Sequence, residues 1–175
     1  MKTFQDLQEG VYDPNILKAF FLAGGPGSGK SYVVKRGTGG LGLKIVNSDD
    51  TFEKYIKDAG LSMKMPKSQE KPRDKLRDRA KAITKMKLDN YVAGRLGLII
   101  DGTGKEYDKI AKQATGLKQL GYDVHMIFVN TSLETALKRN AKRDRTVPRS
   151  IATKSWKTVQ SVSYTHLRAH ETESN

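Results

Sequence analysis

The chain has 175 residues, enough for one domain with a real core. With 37% apolar and 29% charged residues it is globular in composition, neither fibrous nor disordered, and the absence of cysteine excludes disulfides and cysteine-ligated zinc. A formal charge of +13 favours polyanionic partners such as nucleotides, nucleic acids or phosphorylated sugars, and fits equally well a basic surface with no special partner.

Residues 1–9 mix acids with polar side chains and carry no signal-peptide run. No stretch approaches the roughly 20 apolar residues of a membrane span, so a cytoplasmic protein without a membrane partner is expected. Asp13-Pro14-Asn15 is a turn signal. The apolar run 19–23 stops at glycines and predicts a buried strand. A helix is expected from Ser31 to about Arg36, then a flexible glycine-rich break over 37–42. A second strand is expected over 43–46, and a helix over about 51–59 closed by Gly60. Residues 61–71 read as a mobile loop. Pro72 suits the first turn of a long helix running to about Gly94, with Leu76, Ala80, Ile83, Leu88 and Tyr91 as a broken apolar face. A strand over 96–100 ends at Asp101-Gly102, and a helix over about 107–120 closes at Gly121. A fourth strand spans 124–129, a basic helix runs from Leu133 to about Arg145, and a last helix covers 148–160. Strands alternating with helices imply parallel βαβ units, hence an α/β fold of three layers around a mostly parallel sheet.

Residues 162–172 have no core pattern. They resemble the translation, in one frame, of a transposase-type sequencing adapter. The native sequence is then expected to stop at about Ser161, with 1–161 as the domain and 162–175 as a non-native tail. His166 and His170, spaced i,i+4, are discounted as a metal pair for this reason. The tail carries Arg168 against Glu171 and Glu173, so the basic excess belongs to 1–161.

Gly24, Gly25, Pro26, Gly27, Ser28, Gly29, Lys30 and Ser31 match G-x-x-x-x-G-K-[ST] between a predicted strand and a predicted helix, the P-loop (Walker A) context. Glycines let main-chain N–H groups turn toward phosphate oxygens that Cβ atoms would keep away. The helix that follows presents its positive end to the anion. Lys30 is expected to reach the β- and γ-phosphates of ATP, and the Ser31 hydroxyl to bind Mg²⁺.

In open α/β sheets ligands bind beyond the carboxyl ends of the strands. Asp49 and Asp50 follow the second strand and Asp101 ends the third, so all three should lie near the cradle. Phosphoryl transfer to a hydroxyl needs a carboxylate to accept its proton, and often another on the metal side. Asp49 is expected to be the base and Asp101 the metal-side carboxylate; the plainer readings are a helix cap for Asp49 or Asp50 and a turn for Asp101-Gly102. Thr103 would orient a substrate or stabilise that turn. Arg139 and Arg143, four apart in a basic run, would share a helix face and form a lid over the phosphates; the plainer reading is a solvated basic face.

These motifs, with 47–50, 101–103, 137–143 and Val147-Pro148, are similar in order and spacing to zeta-toxin-type kinases. They also resemble the kinase domain of bacteriophage polynucleotide kinase, over about residues 19–160. The stretch has the look of small phage-encoded zeta-toxin-like proteins, which would place it in the host cytoplasm. The resemblance implies that Asp49 is the base and that Arg139 and Arg143 contact the phosphates of ATP. Zeta toxins phosphorylate a nucleotide sugar, and polynucleotide kinases a 5′-hydroxyl. Polynucleotide kinase has an arginine at the position of Phe52, which weakens the nucleic-acid reading. Three functions follow: a small-molecule kinase whose acceptor is a hydroxyl such as that of a nucleotide sugar, a polynucleotide 5′-hydroxyl kinase, and a non-catalytic ATP-dependent binding module. The acceptor and any antitoxin partner are not named by the sequence.

Overall fold

The structure, a computed structural model, describes residues 15–37 and 41–162. Asp13 and Pro14 of the expected turn, residues 38–40 of the glycine-rich break, and the tail beyond Val162 lie outside the described residues.

Four strands form one parallel sheet in the order β2-β3-β1-β4, with β1 Lys18–Ala23, β2 Lys44–Val46, β3 Leu98–Asp101 and β4 Asp123–Phe128. The helices are α1 Lys30–Gly37, α2 Asp49–Asp58, α3 Glu70–Ala93, α4 Tyr107–Gln119, α5 Leu133–Ala141 and α6 Arg149–Val162. This is the expected α/β class. The apolar run at 19–23 becomes the central strand because both of its neighbours pair with it: Phe21 lies opposite Ile100 on one side and Met126 on the other. Every pair is parallel, so all four carboxyl ends open on one edge, and chain order reverses at β1, which β3 and β4 flank.

Two apolar clusters hold the layers. Ala19, Phe21, Val46, Leu98, Leu117 and Tyr122 join the sheet to α4, with Leu88, Tyr91 and Val92 of α3 packed against them. Phe52, Ile56 and Ala80 form the second, with Leu61, Met63 and Leu76 around them. The 24-residue α3 therefore serves two jobs along its length: its first half packs on α2 and its second half on the sheet. Residues 61–71 are more anchored than expected. Leu61 and Met63 are tied into the second cluster, Lys67–Gln69 form a short 3-10 helix, and the Gln69 side chain accepts the Ser62 N–H at 2.8 Å.

Three boundaries differ in ways that matter. Helix α2 starts at Asp49, not Thr51, so Asp49 and Asp50 occupy the first turn, where carboxylates face the positive end of the helix. Strand β3 begins at Leu98; Leu96 instead makes an isolated antiparallel bridge to Ile16. Helix α5 ends at Ala141, four residues before the expected Arg145. There the buried Asn140 side chain turns onto the returning loop, donating to the Val147 carbonyl at 2.7 Å and accepting the Val147 N–H at 3.2 Å. That pairing folds residues 142–148 back into a loop instead of another helical turn.

Candidate nucleotide and phosphate site

The loop between β1 and α1 lines a cleft of about 290 Å³ at the carboxyl edge of the sheet. Gly25 through Ser31 line it, together with Asn47, Asp49, Asp50, Glu53, Asp101, Arg139 and Arg143. The cradle residues from Gly25 on, the three acids Asp49, Asp50 and Asp101, and both arginines expected from the sequence thus line one cleft. Gly24 sits just behind: its N–H donates to the Thr103 carbonyl at 3.1 Å, and its own carbonyl accepts Lys30 Nζ at 2.6 Å. Thr103 therefore acts through its main chain, stitching the β3 turn to the cradle. A larger hollow of about 850 Å³ lies along another face of α5, among Leu133, Leu137, Ala141, Val147 and Pro148. It contains none of the cradle residues or cleft acids.

Two glycines are demanded by geometry. Gly27 has φ +79°, and a Cβ there would run into the Ala136 carbonyl of α5. Gly29 has φ +104° and lies under the Arg139 guanidinium. Close approach of α5 is what lets Arg139 Nη1 donate to the Ser28 carbonyl at 3.3 Å. Arg143 does not share a helix face with Arg139, because α5 has already ended; the tight turn after Asn140 carries it to the same cleft.

Lys30 and Asp101 face each other at 4.0 Å across the floor. Burial pushes the Lys30 ammonium below its ordinary value, while Asp101 and Asp49 pull it back up and nearby Arg143 lowers it. Burial raises the Asp101 carboxyl, opposed by Lys30. Asp101 Oδ2 accepts the Asn47 amide at 2.9 Å, and the Asn47 oxygen accepts the Asp49 N–H at 2.8 Å. Asn47 thereby links the two acids. In the sequence it belonged to the 47–50 motif after the second strand, with no role of its own. Two buried oxygens, Ser28 Oγ and Asp101 Oδ1, have no hydrogen-bond partner among the described residues.

Sequence reasoning missed Arg145. It is 5% exposed, and its guanidinium pairs with Asp49 Oδ2 at 2.6 Å and Glu53 Oε1 at 2.7 Å. In the sequence it was one basic residue in a basic run, with no spacing to set it apart from Lys138 or Lys142. Arg77 of α3 was missed for a similar reason; its guanidinium lies 4.1 Å from the Phe52 ring centre, within the electrostatic reach of Asp49.

The zeta toxin family model matches residues 6–174. No curated protein matches the sequence. Among solved structures, the AvrRxo1-ORF1:-ORF2 complex with ATP is similar over 87% of this chain and 50% of its own, with TM-score 0.64 and 16% identity. A chain of the Pnkp1/Rnl/Hen1 RNA repair complex is similar over 93% and 48%, with TM-score 0.65 and 18% identity. The PezAT toxin-antitoxin system of Streptococcus pneumoniae is similar over 70% and 49%, with TM-score 0.57 and 21% identity. The chain spans about half the length of these structures. At such identities the likeness is one of fold.

Proposed function

Because this chain belongs to the zeta toxin family, we propose that it is an ATP-dependent kinase that transfers the γ-phosphate to a hydroxyl of a small molecule such as a nucleotide sugar. The observation that carries this reading is the meeting of a phosphate cradle and a carboxylate in one cleft: Lys30 and the glycine loop line it together with Asp49, which Arg145 holds through Oδ2. The ATP-bound relative of the same fold supports the choice of donor.

In this reading the main-chain N–H groups of 27–31 and Lys30 hold the triphosphate, and Arg139 and Arg143 neutralise charge on the moving phosphoryl group. The acceptor oxygen bonds to the γ-phosphorus as the bond from that phosphorus to the bridging oxygen breaks. ADP leaves with that oxygen, and the hydroxyl proton passes to Asp49. A lid formed by α5 and the 142–148 loop would keep water, a competing acceptor, out of the cleft.

The residues present fit Mg²⁺. No three His, Cys, Asp or Glu side chains are grouped to hold a metal by themselves among the described residues. Mg²⁺ at phosphates, however, keeps waters and takes only one or two protein oxygens. Asp101 Oδ1, which accepts no hydrogen bond among the described residues and faces Lys30 at 4.0 Å, and the Ser31 hydroxyl at the cleft supply that kind of donor. When bound, the ion would neutralise charge on the β- and γ-phosphates.

A second reading, a polynucleotide 5′-hydroxyl kinase, draws on Arg77. Phe52 is buried, but Arg77 lays a guanidinium over its ring beside Asp49. The test is transfer of label from γ-labelled ATP·Mg²⁺ to two acceptors, UDP-N-acetylglucosamine and a 5′-hydroxyl oligonucleotide. Label on the sugar nucleotide supports the first reading and label on the oligonucleotide the second. The Asp49→Asn variant should retain ATP and lose transfer by about 10²–10⁴-fold. Partner or RNA binding that needs ATP, survives Asp49→Asn and yields no product would instead establish a non-catalytic module. The relatedness to PezAT makes an antitoxin a candidate partner, testable by co-purification with a cognate neighbouring gene product.

A further inference from the structure

The loop after α5 touches both halves of the cleft at once. Arg143 lines the phosphate side. Two residues later Arg145 turns the other way, to α2. Its Nη2 pairs with Asp49 Oδ2 at 2.6 Å and its Nε donates to Glu53 Oε1 at 2.7 Å. Asp49 and Glu53 are four apart on α2, so the guanidinium fork spans one helical turn and fixes the loop against that helix. Its carbon also lies 5.9 Å from the Phe52 ring centre, in the cluster that joins α2 to α3. The Asn140–Val147 pair closes the base of the same loop.

We infer that Arg145 is a positioning residue that couples seating of the 142–148 loop to orientation of Asp49. This rests on the reading of Asp49 as the proton acceptor. Arg145 engages Oδ2, while the Asp49 side chain stays 41% exposed and lines the cleft, so the contact holds the carboxylate without burying it. In phosphoryl transfer with a loose transition state the attacking hydroxyl keeps most of its proton until late, so the orientation of the accepting carboxylate is what the site must supply. One short segment then reads the donor phosphates through Arg143 and sets the acceptor side through Arg145. A nucleotide that draws Arg143 inward also fixes Asp49, and an unseated loop leaves the acid unaligned.

Hydrogen exchange on the full chain tests the coupling without any ligand. Asp49→Asn should speed exchange across 142–148, and Arg145→Ala should speed it across both 49–53 and 142–148, by about tenfold if the two form one network. In ATP·Mg²⁺ turnover, Arg145→Ala should lower kcat about tenfold with KM for ATP held within about twofold, a split that a mere strut would not give. Should Arg145→Ala fail to fold, Arg145→Lys and Glu53→Gln carry the test, each removing part of the fork and each expected to show a smaller loss of the same kind. Unchanged exchange across 142–148 in Asp49→Asn, or a wild-type kcat in every folded fork variant, overturns the coupling. Failure of the wild-type chain to retain ATP·Mg²⁺ would remove the kinase reading instead, and the exchange result stands apart from it.

Discussion

Lys30 illustrates how burial can work against the charge of a binding residue. Its ammonium is buried beside Asp101 and donates to the Gly24 carbonyl, yet burial outweighs these partners and leaves it more acidic than an exposed lysine with its ordinary 10.5. For a lysine with a lowered folded value, the folded state binds fewer protons than the unfolded state between that value and 10.5. Stability from this group therefore rises with pH through the window, and the charged form carries a cost below it. A triphosphate on the cradle would reverse the balance by favouring the ammonium. ATP binding at alkaline pH just below 10.5 should then take up protons. Calorimetry in buffers of different ionisation enthalpy measures the uptake directly. Lys30→Met should abolish both ATP retention and proton uptake; retention in that variant equal to wild type would remove Lys30 from the site.

At the scale of elements, the cradle is shaped as much by α5 as by its own glycines. A methyl group on Gly27 would press on the Ala136 carbonyl from a backbone at φ +79°. Gly27→Ala should therefore cost about 1–3 kcal/mol in urea unfolding, a strained residue held only by its surroundings, and weaken ATP binding because α5 must move away with Arg139. Ser132→Ala gives the contrast. Ser132 caps α5, its Oγ accepting the Thr135 N–H at 3.2 Å, so the loss should be about 1 kcal/mol with ATP affinity unchanged. Equal loss of affinity in both would mean that α5 acts only through its stability. The elements themselves were legible because each carries a local signal: an apolar run stopped by glycines at β1, and a glycine closing α2 and α4. What local pattern could not supply was anything set by tertiary contact. Strand order is one case, since nothing in the sequence of β2 says that it pairs with β3 rather than β1. The end of α5 is another, where the Asn140 side chain, not a proline or glycine, turns the chain. Arg145 is a third: its burial comes from Asp49 and Glu53, some 90 residues earlier in the chain.

Across the whole molecule, the described fold is closed by α6. Its buried residues Ala152, Ser155 and Val159 pack inward, Trp156 Nε1 donates to the Thr131 carbonyl at 2.8 Å, and the Gln160 amide donates to Asn130 at 2.8 Å. Trp156 also lies over Gly25, close enough that a Cβ on that glycine would sit 3.4 Å from the Trp156 main chain. Helix α6 therefore backs the phosphate cradle directly. If residues 162–175 are an adapter-derived addition, the boundary of the folding unit falls just after these contacts. A chain cut after Ser161 should melt within ~0.5 kcal/mol of the full chain and bind ATP equally, because no α6 contact to the cradle is lost. A chain cut before Trp156 should lose both cooperative unfolding and ATP binding, since the cradle would lose its backing and Thr131 its donor. Thermal melting and calorimetry on the two truncations separate the outcomes, and a large loss in the longer one would make the tail part of the fold.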